Sequence, residues 1–279
     1  MTLLQILILA LIQGFAELLP ISSSAHVILA EKLMGLDPTA PDMTLLLVML
    51  HTGTMFAVIV YFWRSWRMTY FASRQAFLSN GLLVATATAV TGIVGFALLK
   101  AIERIYAGGA TSFEIEQLFG STRLIATGLA CAGILIIVSS RRADAANRAV
   151  TVGSSIWIGA VQGLCLPFRG FSRSGATIST GLLRGVNRLR AEEFSFALAV
   201  VLTPAVIARE GYRFYKAYES TSHIAGLQSL LGPSALGMLF SFLAGLAALR
   251  WLSRWLEQGR WSYFGAYCLG LAAVVLGLG

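Results

Sequence analysis

The sequence predicts an all-α fold: a polytopic integral membrane protein with an inverted-topology repeat, about six full spans and two re-entrant helical hairpins. Three observations predict it. Of the 279 residues, 57% are hydrophobic and only 12% charged, half the roughly 25% charge of a soluble domain. Apolar runs close to the ~20 residues that cross a bilayer recur along the chain. The charge of the loops then forces part of the chain to enter the membrane and return on the same side. The chain reads as one integral membrane domain, 1–279, with repeat halves 1–140 and 141–279.

The first region, 2–34, is apolar but broken by the polar island "PISSSAH" at 20–26. Its opening, MTLLQILILALIQGFAELL, lacks a basic n-region and a small-residue cleavage site and contains Glu17, so it is expected to be retained rather than removed as a signal peptide. Candidate spans follow at 43–62, 80–100 and 122–139. The next region, 152–186, is again apolar and again broken, by "RGFSRSGATIST" at 169–180. Spans at 193–209, 229–250 and 261–278 complete the chain.

Cytoplasmic loops carry the excess of Lys and Arg. Segment 63–79, with Arg64, Arg67 and Arg74 and no acid, is therefore placed inside, and 101–121, with Glu103, Glu114 and Glu116, outside. Arg141, Arg142 and Arg148 return 140–151 to the cytoplasm, and Arg250, Arg254 and Arg260 do the same for 250–260. Segment 184–192, with Arg184, Arg188 and Arg190, is inside; 210–228 falls outside against the sign of Arg209, Arg213 and Lys216. The stretch between two inside segments cannot be one crossing. It must turn back near Arg169–Ser174, while "GLDPTAPD" at 35–42 falls outside, so a hairpin at 2–34 enters from the opposite face. Irregular backbone at that depth requires protein or a wet cavity around it. "ALIQGF" at 10–15 also echoes "GAVQGL" at 159–164, with Gln13 and Gln162 149 residues apart. Related halves of opposite insertion place a binding site where their broken helices meet.

The net charge of +8 does not indicate a nucleic-acid partner, because the basic residues lie at the ends of apolar runs rather than in one patch. The partners expected are membrane lipids and a lipid substrate, with no nucleic acid; a homodimer is one assembly the sequence allows. Cys131, Cys165 and Cys268 sit in apolar segments at spacings suited to neither zinc nor a disulfide framework. They read as small packing residues. His223 and the aromatic groups at 61–66 and 251–264 read as loop and interface residues.

In the first island Gln13 and Glu17, four apart, share a helix face. Pro20 helps end that helix, and Ser22, Ser23, Ser24 and His26 follow in the turn. A carboxylate within the membrane is costly and faces the protein interior or a wet cavity. Helix capping accounts for one serine, not for a carboxylate, three hydroxyls and an imidazole so close together. In the second island Gly170 and Gly175 let the backbone bend and approach a ligand. Ser172 and Ser174 can cap a helix beginning near Gly175, whose free amides attract an anion. Arg173 can grip two phosphate oxygens at once, with Arg169 beside it and Thr177 one turn in.

Ser22, Ser24, Arg169, Ser172, Ser174, Gly175 and Thr177 form the candidate phosphate-binding set. Glu17, Ser23, His26 and Arg173 form the candidate catalytic set. Such a cradle suits phosphoryl transfer, where positioning and charge neutralisation carry most of the catalysis. His26 can act as general base near neutral pH, and Ser23 or a water as nucleophile. Glu17, with Gln13, can hold a divalent ion that bridges pyrophosphate oxygens. His51, mid-span beside a Gly-Thr pair, has a supporting role at the site as its candidate function.

At these residues the sequence resembles the undecaprenyl pyrophosphate phosphatases. That family's first motif, Glu or Gln, three residues, Glu, then Leu-Pro-x-Ser-Ser and His, falls on Gln13, Glu17, Leu19, Pro20, Ser22, Ser23 and His26. Its second, Pro-Gly-x-Ser-Arg-Ser-Gly-x-Thr, falls on Arg169, Gly170, Ser172, Arg173, Ser174, Gly175 and Thr177. "LHTGTM" at 50–55 and "AEEFSFALAV" at 191–200 also look like family segments.

The resemblance implies hydrolysis of undecaprenyl pyrophosphate to the monophosphate, recycling the lipid carrier for peptidoglycan and other envelope polymers, with a link to bacitracin resistance. It further implies a divalent cation, magnesium or calcium, and a site facing the periplasm from the bacterial cytoplasmic (inner) membrane. Arg169 stands where the motif has Pro, Ala25 where it has Gly, and Pro204 lies beyond the usual helix proline; Gln13 leaves one carboxylate for a metal. The rival reading is a lipid-phosphate transporter or flippase using the same anion site. Ser-x-x-His opposite Ser-Arg-Ser favours an enzyme, because binding alone needs neither base nor nucleophile.

Overall fold

A computed structural model of the chain describes residues 1–37, 41–107, 121–142, 147–219 and 227–278. Glu114, Glu116, His223 and part of "GLDPTAPD" lie outside the described residues. Among the described residues the secondary structure is helical, without strands. The first five helices are α1 (Leu3–Leu18), α2 (Ser23–Leu33), α3 (Pro41–Thr69), α4 (Arg74–Ala107) and α5 (Thr122–Ser140). The next five are α6 (Val152–Cys165), α7 (Arg173–Leu183), α8 (Arg188–Glu219), α9 (Leu227–Glu257) and α10 (Trp261–Leu278). Five, α3, α4, α5, α8 and α9, are long and apolar enough to cross a membrane. The sixth predicted span coincides with α10, which has 18 residues.

Helix lengths repeat along the chain. Residues 3–140 give helices of 16, 11, 29, 34 and 19 residues; residues 152–278 give 14, 11, 32, 31 and 18. In each half a pair of short helices comes first. At 1.5 Å per residue, 11 to 16 residues reach only ~16 to ~24 Å, short of a ~30 Å hydrocarbon core. The second pair also begins and ends together: Arg148 N–H donates to the Gly185 carbonyl at 2.9 Å, and Asn187 N–H to the Arg148 carbonyl at 2.9 Å. A chain whose entry and exit are hydrogen-bonded has gone in and come back, as the loop charges require. Thr151 starts this hairpin with a capping box, its hydroxyl accepting from Ser154 N–H at 3.2 Å and its own N–H donating to the Ser154 hydroxyl at 2.8 Å.

The chain packs as two compact units: Met1–Leu18, Ser23–Trp63 and Ala199–Leu252 form the first, and Leu19–Ser22, Arg64–Leu198 and Ser253–Gly279 the second. In the first, Ile6, Leu9 and Ala10 of α1 pack with Val27 and Ala30 of α2 and Met43, Leu46 and Leu50 of α3. A Cβ on Gly14 would lie 2.5 Å from the Ala244 Cβ, so α1 and α9 approach at a point only glycine allows. In the second unit α6 meets α4 in the same manner. A Cβ on Gly159 would lie 2.3 Å from the Ala87 carbonyl oxygen and one on Gly163 2.9 Å from that of Thr91. Gln13–Gly14 and Gln162–Gly163, the echo in the sequence, thus both mark close helix crossings. Trp261, buried at the start of α10, donates to the hydroxyls of Ser139 on α5 at 3.0 Å and Ser179 on α7 at 3.2 Å.

Candidate active site

At the end of α1 the spacing of Gln13 and Glu17 acts as read: the Gln13 amide donates to Glu17 Oε2 at 3.2 Å. Two further groups converge on that oxygen. Ser23, the first residue of α2, donates its hydroxyl proton to it at 2.6 Å. His51 Nε2 on α3 lies 3.8 Å away. The other His51 nitrogen, Nδ1, is 2.8 Å from the Leu47 carbonyl, which can only accept, so Nδ1 carries a proton. The Glu17 side chain keeps 17% exposure and that of His51 34%, enough for a ligand to reach both. All four residues belong to the first unit.

The turn that follows belongs to the second unit. Ser22 is buried with φ of +67°, a left-handed conformation that side chains other than glycine rarely adopt. The Leu19 carbonyl accepts from the Ser174 hydroxyl at 3.3 Å, and the Pro20 carbonyl from the Cys268 thiol at 3.3 Å. A Cβ on Gly175 would lie 3.2 Å from the Pro20 Cβ. Leu19 and Pro20 of that turn therefore sit against the start of α7, at Ser174 and Gly175.

The second island folds around Gly170, whose φ is +95° and whose added Cβ would lie 2.2 Å from the Ile125 carbonyl oxygen. The turn is pressed onto α5 there. Ser172 is the N-cap of α7 and accepts from Gly175 N–H at 3.3 Å. The helix begins at Arg173, two residues before the sequence suggests, because Ser172 alone supplies the cap. Ser174 lies inside the first turn and bonds Leu19 instead. Arg173 is half-buried and Arg169 exposed.

Ser24 and His26 are half-buried in the first turn of α2, on the helix rather than in the turn before it. Thr177 is fully buried, 2.8 Å from the Arg173 carbonyl and 2.6 Å from the Ser195 hydroxyl on α8. Sequence reasoning did not single out Ser195. Its only signal was membership of "AEEFSFALAV".

Among the described residues no three of His, Cys, Asp and Glu gather into a metal site. The Glu17 carboxylate, the Gln13 carboxamide, the Ser23 hydroxyl and the His51 imidazole thus stand together. One carboxylate in such a set can serve a divalent cation that completes its shell with substrate phosphate and water.

The chain matches the family described as "Bacitracin resistance protein BacA" over residues 6–274. It is similar to "Undecaprenyl-diphosphatase 2" of Acinetobacter baylyi, with 62% identity over 281 residues, covering 100% of this chain and 98% of that one. It is also similar to "Undecaprenyl-diphosphatase" of Thermus thermophilus, 32% identical over 96% of this chain and 94% of the relative. The protein of the same name from Desulfosudis oleivorans is 31% identical over 99% and 98%.

Proposed function

The chain belongs to the bacitracin resistance protein, or BacA, family, and from that premise we infer that it is an undecaprenyl-diphosphatase. It hydrolyses undecaprenyl pyrophosphate to undecaprenyl phosphate and inorganic phosphate and so recycles the lipid carrier for peptidoglycan and envelope polymers. The observation that carries the chemistry is the 2.6 Å hydrogen bond from Ser23 to Glu17. A hydroxyl whose proton already points at a carboxylate is an activated nucleophile.

Ser23 Oγ attacks the terminal phosphorus while Glu17 takes its proton. The bond from that phosphorus to the bridging oxygen breaks, and the carrier phosphate leaves with the proton, His26 assisting the transfer from one turn along α2. Water then attacks the phosphoserine, its proton returns to Ser23 Oγ by way of Glu17, and inorganic phosphate departs. Arg173, at the positive end of α7, grips the phosphoryl oxygens. Arg169, Ser22, Ser172 and Gly175 are the other phosphate-binding residues of the second unit, and Ser24 is one supplied by the first. The peptide bond between Ser22 and Ser23 joins the two sets of residues in the chain. Glu17 and Gln13 would hold magnesium or calcium, which neutralises pyrophosphate charge when bound. The exposed arginines at 64, 67, 141 and 142 support an orientation with those ends in the cytoplasm of a bacterial inner membrane and the site toward the periplasm.

The test is phosphate release from undecaprenyl pyrophosphate by detergent-purified protein, where no transmembrane gradient exists. Ser23→Ala and Glu17→Gln should each lower turnover at least ~100-fold, and acid quench should trap phosphate on Ser23. Turnover surviving in Ser23→Ala would assign the attack to water. A folded wild type that releases nothing would leave a lipid-phosphate carrier.

A further inference from the structure

Thr177 has its hydroxyl engaged in both directions. Its Oγ1 lies 2.8 Å from the Arg173 carbonyl oxygen, which can only accept, so the single hydroxyl proton goes there. The 2.6 Å contact with Ser195 Oγ then requires Ser195 to donate. The result is a directed chain, Ser195 O–H to Thr177 O–H to Arg173 C=O, running from α8 to the first residue of α7. Each bond polarises the next in such a chain.

Ser195 is 1% exposed and Thr177 0%, with Phe194 and Phe196 on either side of Ser195 equally buried. Hydroxyls in such surroundings are costly unless bonded, so these two find each other. The turn of α8 before Ser195 is itself held. Glu192, 1% exposed, accepts from the Ser253 hydroxyl on α9 at 2.5 Å. Glu193, also 1% exposed, accepts from Ser65 on α3 and from Arg190 at 2.8 Å. Ser195 is a fixed point from which α7 can be aligned.

We propose that Ser195 is a positioning residue for the phosphate grip: acting through Thr177, it sets the first turn of α7 and thereby the aim of Arg173. The proposal rests on the phosphate-binding role of Arg173 given above. It also gives Thr177 a different task from the one its sequence position suggests, since its hydroxyl serves α7 and not the ligand.

The experiment compares wild type, Ser195→Ala, Ser195→Thr, Thr177→Val and the double variant Ser195→Ala/Thr177→Val in detergent. Phosphate release from undecaprenyl pyrophosphate gives kcat and KM; binding of the same lipid is measured in a Ser23→Ala background; thermal midpoints are recorded throughout. Ser195→Ala should raise KM and Kd about tenfold while kcat changes less than about threefold. Ser195→Thr should recover most of the loss, and the double variant should be no worse than Thr177→Val alone.

Unchanged KM and Kd in Ser195→Ala would overturn the proposal and leave the phosphatase standing. So would additive losses in the double variant, or losses that follow the thermal midpoint without rescue by Ser195→Thr. A wild type that binds the lipid without releasing phosphate sinks the phosphatase reading, yet its Kd series still decides the role of Ser195. A wild type that does neither removes both.

Discussion

Ser23 has one hydroxyl proton and gives it to Glu17, which makes the two residues a unit. Their substitutions should not add: Ser23→Ala/Glu17→Gln should be slower than either single variant by no more than about threefold in kcat. Ser22, next to them, makes a prediction about stability. Its φ of +67° costs a side chain ~1–2 kcal/mol and a β-branched one more. Ser22→Gly should therefore keep the thermal midpoint, while Ser22→Val should lower it by the equivalent of about 2 kcal/mol. Most of these residues were legible in the sequence, because a carboxylate and a run of hydroxyls stand out against an apolar background. Ser195 was not, nor was the bond that ties Thr177 to it. The direction of a hydroxyl depends on which helix packs beside it, and a serine within an apolar helix looks the same whether or not it has a partner.

Helices α1 and α4 show two opposite settings for a glycine. Gly14 follows Gln13 and lies one turn before Glu17, and its added Cβ would come within 2.7 Å of the Ser241 carbonyl oxygen as well as meeting Ala244. Gly14→Ala should push α1 off α9, lowering folded yield and phosphate release together. Gly92, on exposed α4 surface with nothing within 4 Å of an added Cβ, is the opposite case. Gly92→Ala should raise stability by ~0.5–1 kcal/mol, as expected for a helix interior, with activity unchanged; thermal midpoints and turnover read both. The polar islands and loop charges located both hairpins, but the exact helix starts escaped. The sequence offers several serines as caps at each turn, and only tertiary contacts choose among them: Ser172 caps α7, while Ser174 is taken by Leu19.

At the scale of the whole molecule, charge and metal dependence are the quantities to measure. Exposed Arg67 and Arg142 belong to segments placed in the cytoplasm. In a Cys131→Ala background, Arg67→Cys should react with a membrane-impermeant maleimide in inverted vesicles and not in intact spheroplasts. Chelation should stop phosphate release, and magnesium should restore it, because the Glu17 carboxylate adds negative charge beside an anionic pyrophosphate and a divalent cation would offset both. The membrane class and the spans were legible from composition and loop charge. The division into two interleaved units was not, since α3, α8 and α9 each supply residues to both, and no local pattern records which stretch of a long helix packs with which neighbour.

Ser23 opens α2 and Arg173 opens α7, each the first residue of an 11-residue return helix. Equivalent places in the two hairpins thus carry different groups, a hydroxyl in one and a cation in the other. In the proposed roles, a chain made from two copies of the first hairpin would own two nucleophiles and lack the arginine grip; two copies of the second would hold phosphate and never cut it. The halves are alike in build and yet cannot stand in for one another.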